Sequence, residues 1–260
     1  MCDKTLRVYN TDSQQYYFYL EMHKKQTLSY AREKRDYYSK LVKGKMSIKK
    51  ALNMLDDFVD PSDPDLDVPN TVHAYQTAER IRKKYPENEE FQIVGLIHDL
   101  GKVLFSFGEP NWSVVGDTYV MGCEFPEPIV FYDTMKQSKD YHKYSGNGIY
   151  EKGCGMDKWI IAYGHDEYLY WVLTGNKDRH LISEKYMNVI RYHSLYPWHT
   201  GGAYREIMNE DGSDKTILED VLQFNQFDLY SKEDDAEIGD DVKKYYDKLL
   251  NKFFKEDLNW

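Results

Sequence analysis

The chain has 260 residues, 34 basic against 44 acidic side chains and a net charge of −10, a size that allows one large core without a disulfide or metal staple. The acidic balance, with no cluster of Lys and Arg free of acidic neighbours, excludes nucleic acid and anionic membranes as main partners. No apolar run approaches the ~20 residues of a membrane helix, and Met1–Asn10 has no signal-like apolar middle, so a cytoplasmic protein is expected. Cys2, Cys123 and Cys154 form no CxxC pair, which argues against a disulfide framework or a thiolate metal site. The 24 tyrosines must share the work of the core, and each buried phenol calls for a hydrogen-bond partner.

In chain order, Ser47 reads as the N-cap of a helix carrying Ile48, Ala51, Leu52 and Leu55 and running to about Asp60. Asp60–Asn70 alternates Asp and Pro too densely for helix or strand, and Asn70 reads as the cap of a helix that ends at Pro86. A further helix is expected from about Glu89 to Leu100, with Gly101 at the left-handed position after it. Between Val103 and Met135, short apolar runs broken by Gly and Pro suggest a small β-hairpin insertion, with Ile129–Tyr132 its best strand. Helical spacing returns at Asp157, ends before Gly175, restarts after Ser183, and recurs at Leu218, Val221, Leu222 and Asn225. The stripe Val242, Tyr245, Tyr246, Leu249, Leu250, Phe253 and Phe254 predicts a C-terminal helix packed on the domain. The fold class is mainly α. A single domain over 1–260 is expected, with an N-terminal helical cover (1–45), a core (46–232) and the C-terminal helix (233–260).

The histidines point to a metal site. About one His-Asp dipeptide is expected by chance, and two occur, His98-Asp99 and His165-Asp166. His98 shares a stripe with Phe91, Val94 and Gly95 and so points into the core; His73, on the preceding helix, and His193, on the stripe of Met187 and Ile190, are expected to face inward as well. The ordered series His73, His98-Asp99, His165, His193 and Asp228 would supply four imidazoles and two carboxylates. That is more than one open catalytic ion takes, and two ions sharing Asp99 fit better. Donors of N and O alone disfavour structural zinc and leave iron, manganese or another hard-to-borderline metal. His23, His142, His180 and His199 read as surface, loop or supporting residues. Asp166 reads as a cap, a supporting acceptor for a ligating imidazole, or a solvated group.

The words DPSDPDLDVPNTVHAYQTAE, VGLIHDLGK, GEPNWSVVGDT, YGHDEYLY, RYHSLYPWHT and FNQFDLYSK stand in the order H…HD…H…H…D. Together they resemble the myo-inositol oxygenase family of HD-domain metalloproteins, strongly over residues 45–232. The resemblance implies an HD-type helical bundle and a non-haem, mixed-valence Fe(II)/Fe(III) pair held by His73, His98, Asp99, His165, His193 and Asp228, with Asp99 as the bridge. It implies substrate contacts at Arg7, Asp60, Lys102, Gly116, Asp117, His193, Ser194 and Lys232, with Tyr19 as a lid residue near the site. The implied substrates are myo-inositol and O₂, the product D-glucuronate, and the protein a monomer. The implied chemistry passes through a metal-bound alkoxide and hydrogen abstraction by an iron-bound superoxide-like species, with Lys102 and Asp99 in catalytic roles.

The residue types suit such a task. An uncharged cyclitol offers only hydroxyls, so its recognition needs several buried donors and acceptors, each unsatisfied when a wrong polyol binds. One rival is an HD-type phosphohydrolase, which would need arginines around a phosphate; Leu96–Trp112 holds only Lys102 as a cation. Another is a metal-stabilised helical module that binds a protein partner and turns nothing over.

Overall fold

The computed structural model describes residues 10–58, 60–62, 69–228 and 238–260. Helix α1 spans Gln14–Lys25 and α2 Leu28–Tyr38, and the hydroxyls of Ser13 and Thr27 accept the orphan N–H groups of Tyr16 and Tyr30. Strand β1 is Lys45–Met46, and α3, Ile48–Met54, is capped by Ser47 as expected. It tightens into one 3₁₀ turn, Leu55–Asp57, and so stops short of Asp60. Helices α4 (Asn70–Lys84) and α5 (Glu89–Ile97) follow, and after a long stretch whose helical structure is 3₁₀ alone come α6 (His165–Gly175) and α7 (Glu184–Tyr192). The chain closes with α8 (Tyr196–His199), α9 (Ser213–Asp228), α10 (Asp240–Phe253) and β2 (Leu258–Asn259). The class is mainly α, as the periodicity predicts.

Four local expectations fail for physical reasons. Asn70 is the first residue of α4 rather than its cap; its amide donates to Phe58 O at 2.6 Å and its oxygen accepts from Lys102 Nζ at 3.3 Å. Helix α5 ends at Ile97, and Gly101 lies inside a 3₁₀ segment, Leu100–Phe107, with no left-handed φ. Glycine is required there for space, since a Cβ would lie 1.8 Å from His165 O. Extended pairing forms instead between Lys45–Met46, before α3, and Leu258–Asn259, after α10, as the antiparallel pair β1–β2, while Ile129–Tyr132 runs through turns, with Phe131 left-handed, into 3₁₀ geometry. Helical structure from Asp157 is likewise limited to a 3₁₀ turn; the β-branched and aromatic run Trp159–Tyr163 is extended, and Ile161 bridges Val120.

The apolar faces converge on one core. Gly95 lets α5 press on α4, where a Cβ would meet Ile81 Cδ1 at 2.7 Å and Ala78 Cα at 3.0 Å. Helix α10 buries Tyr246, Leu249, Leu250 and Phe253, as its stripe predicts. Buried tyrosines form part of the polar framework: Tyr38 Oη donates to Glu109 Oε1 at 2.7 Å and Tyr192 Oη to Met156 O at 3.0 Å. The hydroxyls of Tyr163 and Tyr168 have no such partner among the described residues. No helix among the described residues is long and apolar enough to cross a membrane.

Candidate metal centre and active site

At Asp99 the backbone leaves α5 for the 3₁₀ segment, passing through φ −91° and ψ 1°, a sparsely allowed region often found at active sites. The change of pitch turns His98 and Asp99, neighbours in sequence, toward one place. His98 Nε2 lies 3.5 Å from Asp99 Oδ2 and 3.2 Å from Asp228 Oδ1, the last residue of α9. The same Asp228 oxygen is 2.9 Å from His73 Nε2 on α4. On the other side of Asp99, Oδ1 lies 3.1 Å from His165 Nε2 and 3.7 Å from His193 Nε2. All six residues predicted from the H…HD…H…H…D order therefore meet, although they span residues 73 to 228.

The donor atoms form two compact groups, His73–His98–Asp99 and Asp99–His165–His193, each with its ligand atoms within 4.8 Å of one another. Asp99 belongs to both. Hydrogen bonding settles the tautomers: Nδ1 of His98 donates to Gly95 O at 2.8 Å, that of His165 to Val114 O at 2.8 Å, and that of His193 to Ile190 O at 2.7 Å. Each Nε2 is then the ring nitrogen directed inward, the arrangement found when a neutral imidazole ligates a metal. His165 and His193 bring their Nε2 atoms to 3.2 Å of each other. Two lone pairs at that distance repel unless a proton or a cation lies between them, so the residues present fit a metal.

The electrostatics carry the same imprint. Burial opposes charge on Asp99, yet Lys102 and then His98 hold its carboxyl well below the usual carboxylate range. Burial likewise opposes charge on Asp228, and His98 and His73 outweigh it. For His73, burial dominates and lowers the imidazole. For His193, burial is outweighed by hydrogen bonding to Asp99 and by nearby carboxylates, which push it up to about 9.

Lys102 is buried beside the cluster, and its three N–H bonds have three acceptors: Asp99 Oδ2 at 2.9 Å, Asp60 Oδ2 at 3.0 Å and Asn70 Oδ1 at 3.3 Å. Burial disfavours its charge, but Asp99 and Asp60 raise its pKa above the ordinary value, and it stays an ammonium. Asp60 is fixed in turn by Ser62, whose N–H and Oγ–H donate to its Oδ1 at 2.9 and 2.6 Å. Asp117 exchanges two hydrogen bonds with Tyr19 on α1, which donates to Oδ1 at 3.1 Å and accepts from Asp117 N–H at 3.0 Å. Thr118 N–H donates to Ser194 O at 2.8 Å, so Asp117 and Ser194 are tied together beside His193. Gly116, at φ +99°, packs under Phe18 and Met22 of α1. Arg7 and Lys232 lie outside the described residues.

Some of the surroundings were not legible as such. His199, expected in a supporting or peripheral place, is buried and its Nε2 pairs with His193 O at 3.0 Å. His23 and His180 are buried rather than peripheral, and only His142 is exposed among that group. Asp166 is fully buried, bonded to Glu167 N–H at 2.9 Å and Thr118 Oγ1 at 3.4 Å. Asn70 gave the wrong signal, because a helix-initiating Asn usually reads as a cap.

The model of one family, myo-inositol oxygenase, matches residues 12–260. The chain belongs to the myo-inositol oxygenase family. Among curated relatives it is similar to inositol oxygenase of Danio rerio, 43% identical over 258 residues, covering 98% of this chain and 89% of that protein. It is 44% identical over 246 residues to inositol oxygenase of Mus musculus, covering 93% and 85%. It is 42% identical over 267 residues to inositol oxygenase 1 of Arabidopsis thaliana, covering 99% and 85%. In this member of the myo-inositol oxygenase family the HD dipeptide at His98-Asp99 contributes both side chains to the cluster of donor atoms, whereas in His165-Asp166 only the histidine reaches it.

Proposed function

We propose that this chain is an oxidoreductase that uses O₂ to open the ring of myo-inositol. The reaction is a four-electron oxidation in which C₆H₁₂O₆ and O₂ give D-glucuronic acid, C₆H₁₀O₇, and water. The observation that carries the reading is the pair of buried donor groups sharing Asp99, taken with family membership over nearly the whole chain. His73, His98 and Asp228 would hold one iron, His165 and His193 the other, and Asp99 would join both. When bound, a mixed-valence iron pair supplies Lewis acidity toward a substrate hydroxyl and the one-electron chemistry that O₂ requires.

The protein's own residues would do the rest. Lys102 places a fixed positive charge beside Asp99, where a hydroxyl that loses its proton needs compensation. Because all three of its hydrogens are engaged, a substrate oxygen must compete with Asp60 or Asn70 for one of them. Asp60 then becomes an acceptor for a ring hydroxyl, and Asp117 and Ser194 offer further polar contacts next to His193. Tyr19 orients Asp117 from α1 and narrows access for water. Arg7 and Lys232 are proposed to complete the substrate contacts. One chain supplies every metal donor, which supports a monomer, and the cytoplasm is the proposed location.

The test is aerobic incubation of the iron-loaded protein with myo-inositol. Uptake of one O₂ per D-glucuronate formed is expected. Release of phosphate from phosphoesters without O₂ uptake would replace this reading with the hydrolase.

A further inference from the structure

His165 opens α6 and His193 follows the last residue of α7. The gap between their Nε2 atoms is therefore set by how these two helices lie against each other. Two residues into α6 stands Glu167, and two residues before His193 stands Arg191. Arg191 Nε donates to Glu167 Oε2 at 2.7 Å and a terminal nitrogen donates to Oε1 at 3.1 Å. Both residues are buried, at 2% and 4% exposure. Trp171 Nε1 donates to the same Oε1 at 2.8 Å, and the guanidinium carbon lies 4.4 Å from the centre of the Tyr170 ring.

A guanidinium fork on a carboxylate fixes distance and plane together, which a lysine cannot do. As a source of stability alone, such a pair is a poor choice, since apolar residues of similar volume often hold a buried seam as well or better. What the ion pair adds over apolar filling is defined geometry. Side chains two positions apart on a helix point roughly 200° away from each other, so the pair grips the α6–α7 seam away from the donor atoms. It also brings no net charge toward the cluster.

Building on the metal reading above, we infer that Glu167 and Arg191 are positioning residues that set α6 against α7, so that His165 and His193 present their lone pairs to one ion shared with Asp99. Neither residue touches the ion. Loss of the fork should weaken that ion selectively and leave the ion at His73 and His98 in place.

The experiment is a Co(II) titration of the full chain, followed by the visible d–d bands, in parallel with thermal unfolding. Wild type is expected to take up two ions. The volume-matched double variant Glu167→Met/Arg191→Leu is expected to melt within about 4 °C of wild type, to bind one ion normally, and to bind the other about 10–100-fold more weakly with altered bands. Arg191→Lys keeps the charge but loses the fork, and should show a smaller loss at the same ion; it carries the test alone if the double variant does not fold. Variants that take up both ions with wild-type affinity and spectrum would overturn the positioning role. Wild type that takes up no ion at the Asp99–His165–His193 group would refute the metal reading itself, a separate and recognisable result.

Discussion

His165 and His193 direct their Nε2 atoms at each other across 3.2 Å, while both Nδ1 atoms donate to backbone carbonyls. Neither ring can turn to relieve the contact without losing a buried hydrogen bond. His193→Ala is therefore expected to lower bound iron by about one of two equivalents and to abolish turnover. Metal analysis of the purified variant checks this, and an unchanged iron content would remove His193 from the ligand set.

Lys102 compensates Asp99 and Asp60 at once. Lys102→Met leaves buried Asp99 and partly buried Asp60 without their cation, at a cost of about 3–5 kcal/mol in the metal-free protein. Loss of the fixed charge should lower kcat by about 10²–10³-fold. Urea midpoints and steady-state rates measure the two effects separately, and wild-type kcat in a folded variant would deny Lys102 any part in the reaction.

Gly101 has the carbonyl of His165 in the place of a Cβ. Gly101→Ala must push the start of α6 away from the 3₁₀ segment, an overpacking cost of about 3 kcal/mol. The same movement displaces His165 from Asp99. A lowered melting temperature together with reduced metal uptake is expected; stability and uptake equal to wild type would mean that the two segments separate freely.

His23 is fully buried, its Nδ1 paired with Thr134 Oγ1 at 2.6 Å, and burial lowers its pKa from 6.5 to about 3. The folded value lies below the unfolded one, so this histidine's contribution is fully present above pH 6.5 and is lost as pH falls toward 3. At pH 5 the loss amounts to about 2 kcal/mol. His23→Gln can still donate to Thr134, and its stability should fall less steeply than that of wild type between pH 7 and 5. Parallel curves would show that His23 does not titrate on unfolding.

The helices and the six clustered side chains were legible because they follow periodicity and motif order: Ser47 caps α3, the α10 stripe packs, and His98 faces the core. What failed depended on contacts between distant residues. Gly101 looked like a helix stop because the reason for its glycine, the carbonyl of His165, lies 64 residues away in sequence. Asn70 looked like a cap, but Lys102 and Phe58 O take its side chain. Ile129–Tyr132 has strand composition but no neighbouring strand to pair with among the described residues, and the pairing that does form joins Lys45–Met46 to Leu258–Asn259.

Anomalous diffraction at the iron edge from crystals of the iron-loaded protein tests the central claim most directly. Two peaks are expected, one among His73, His98 and Asp228 and one between His165 and His193, each bonded to an oxygen of Asp99. A single peak, or two peaks with Asp99 bonded to neither, would contradict the shared carboxylate on which the account rests.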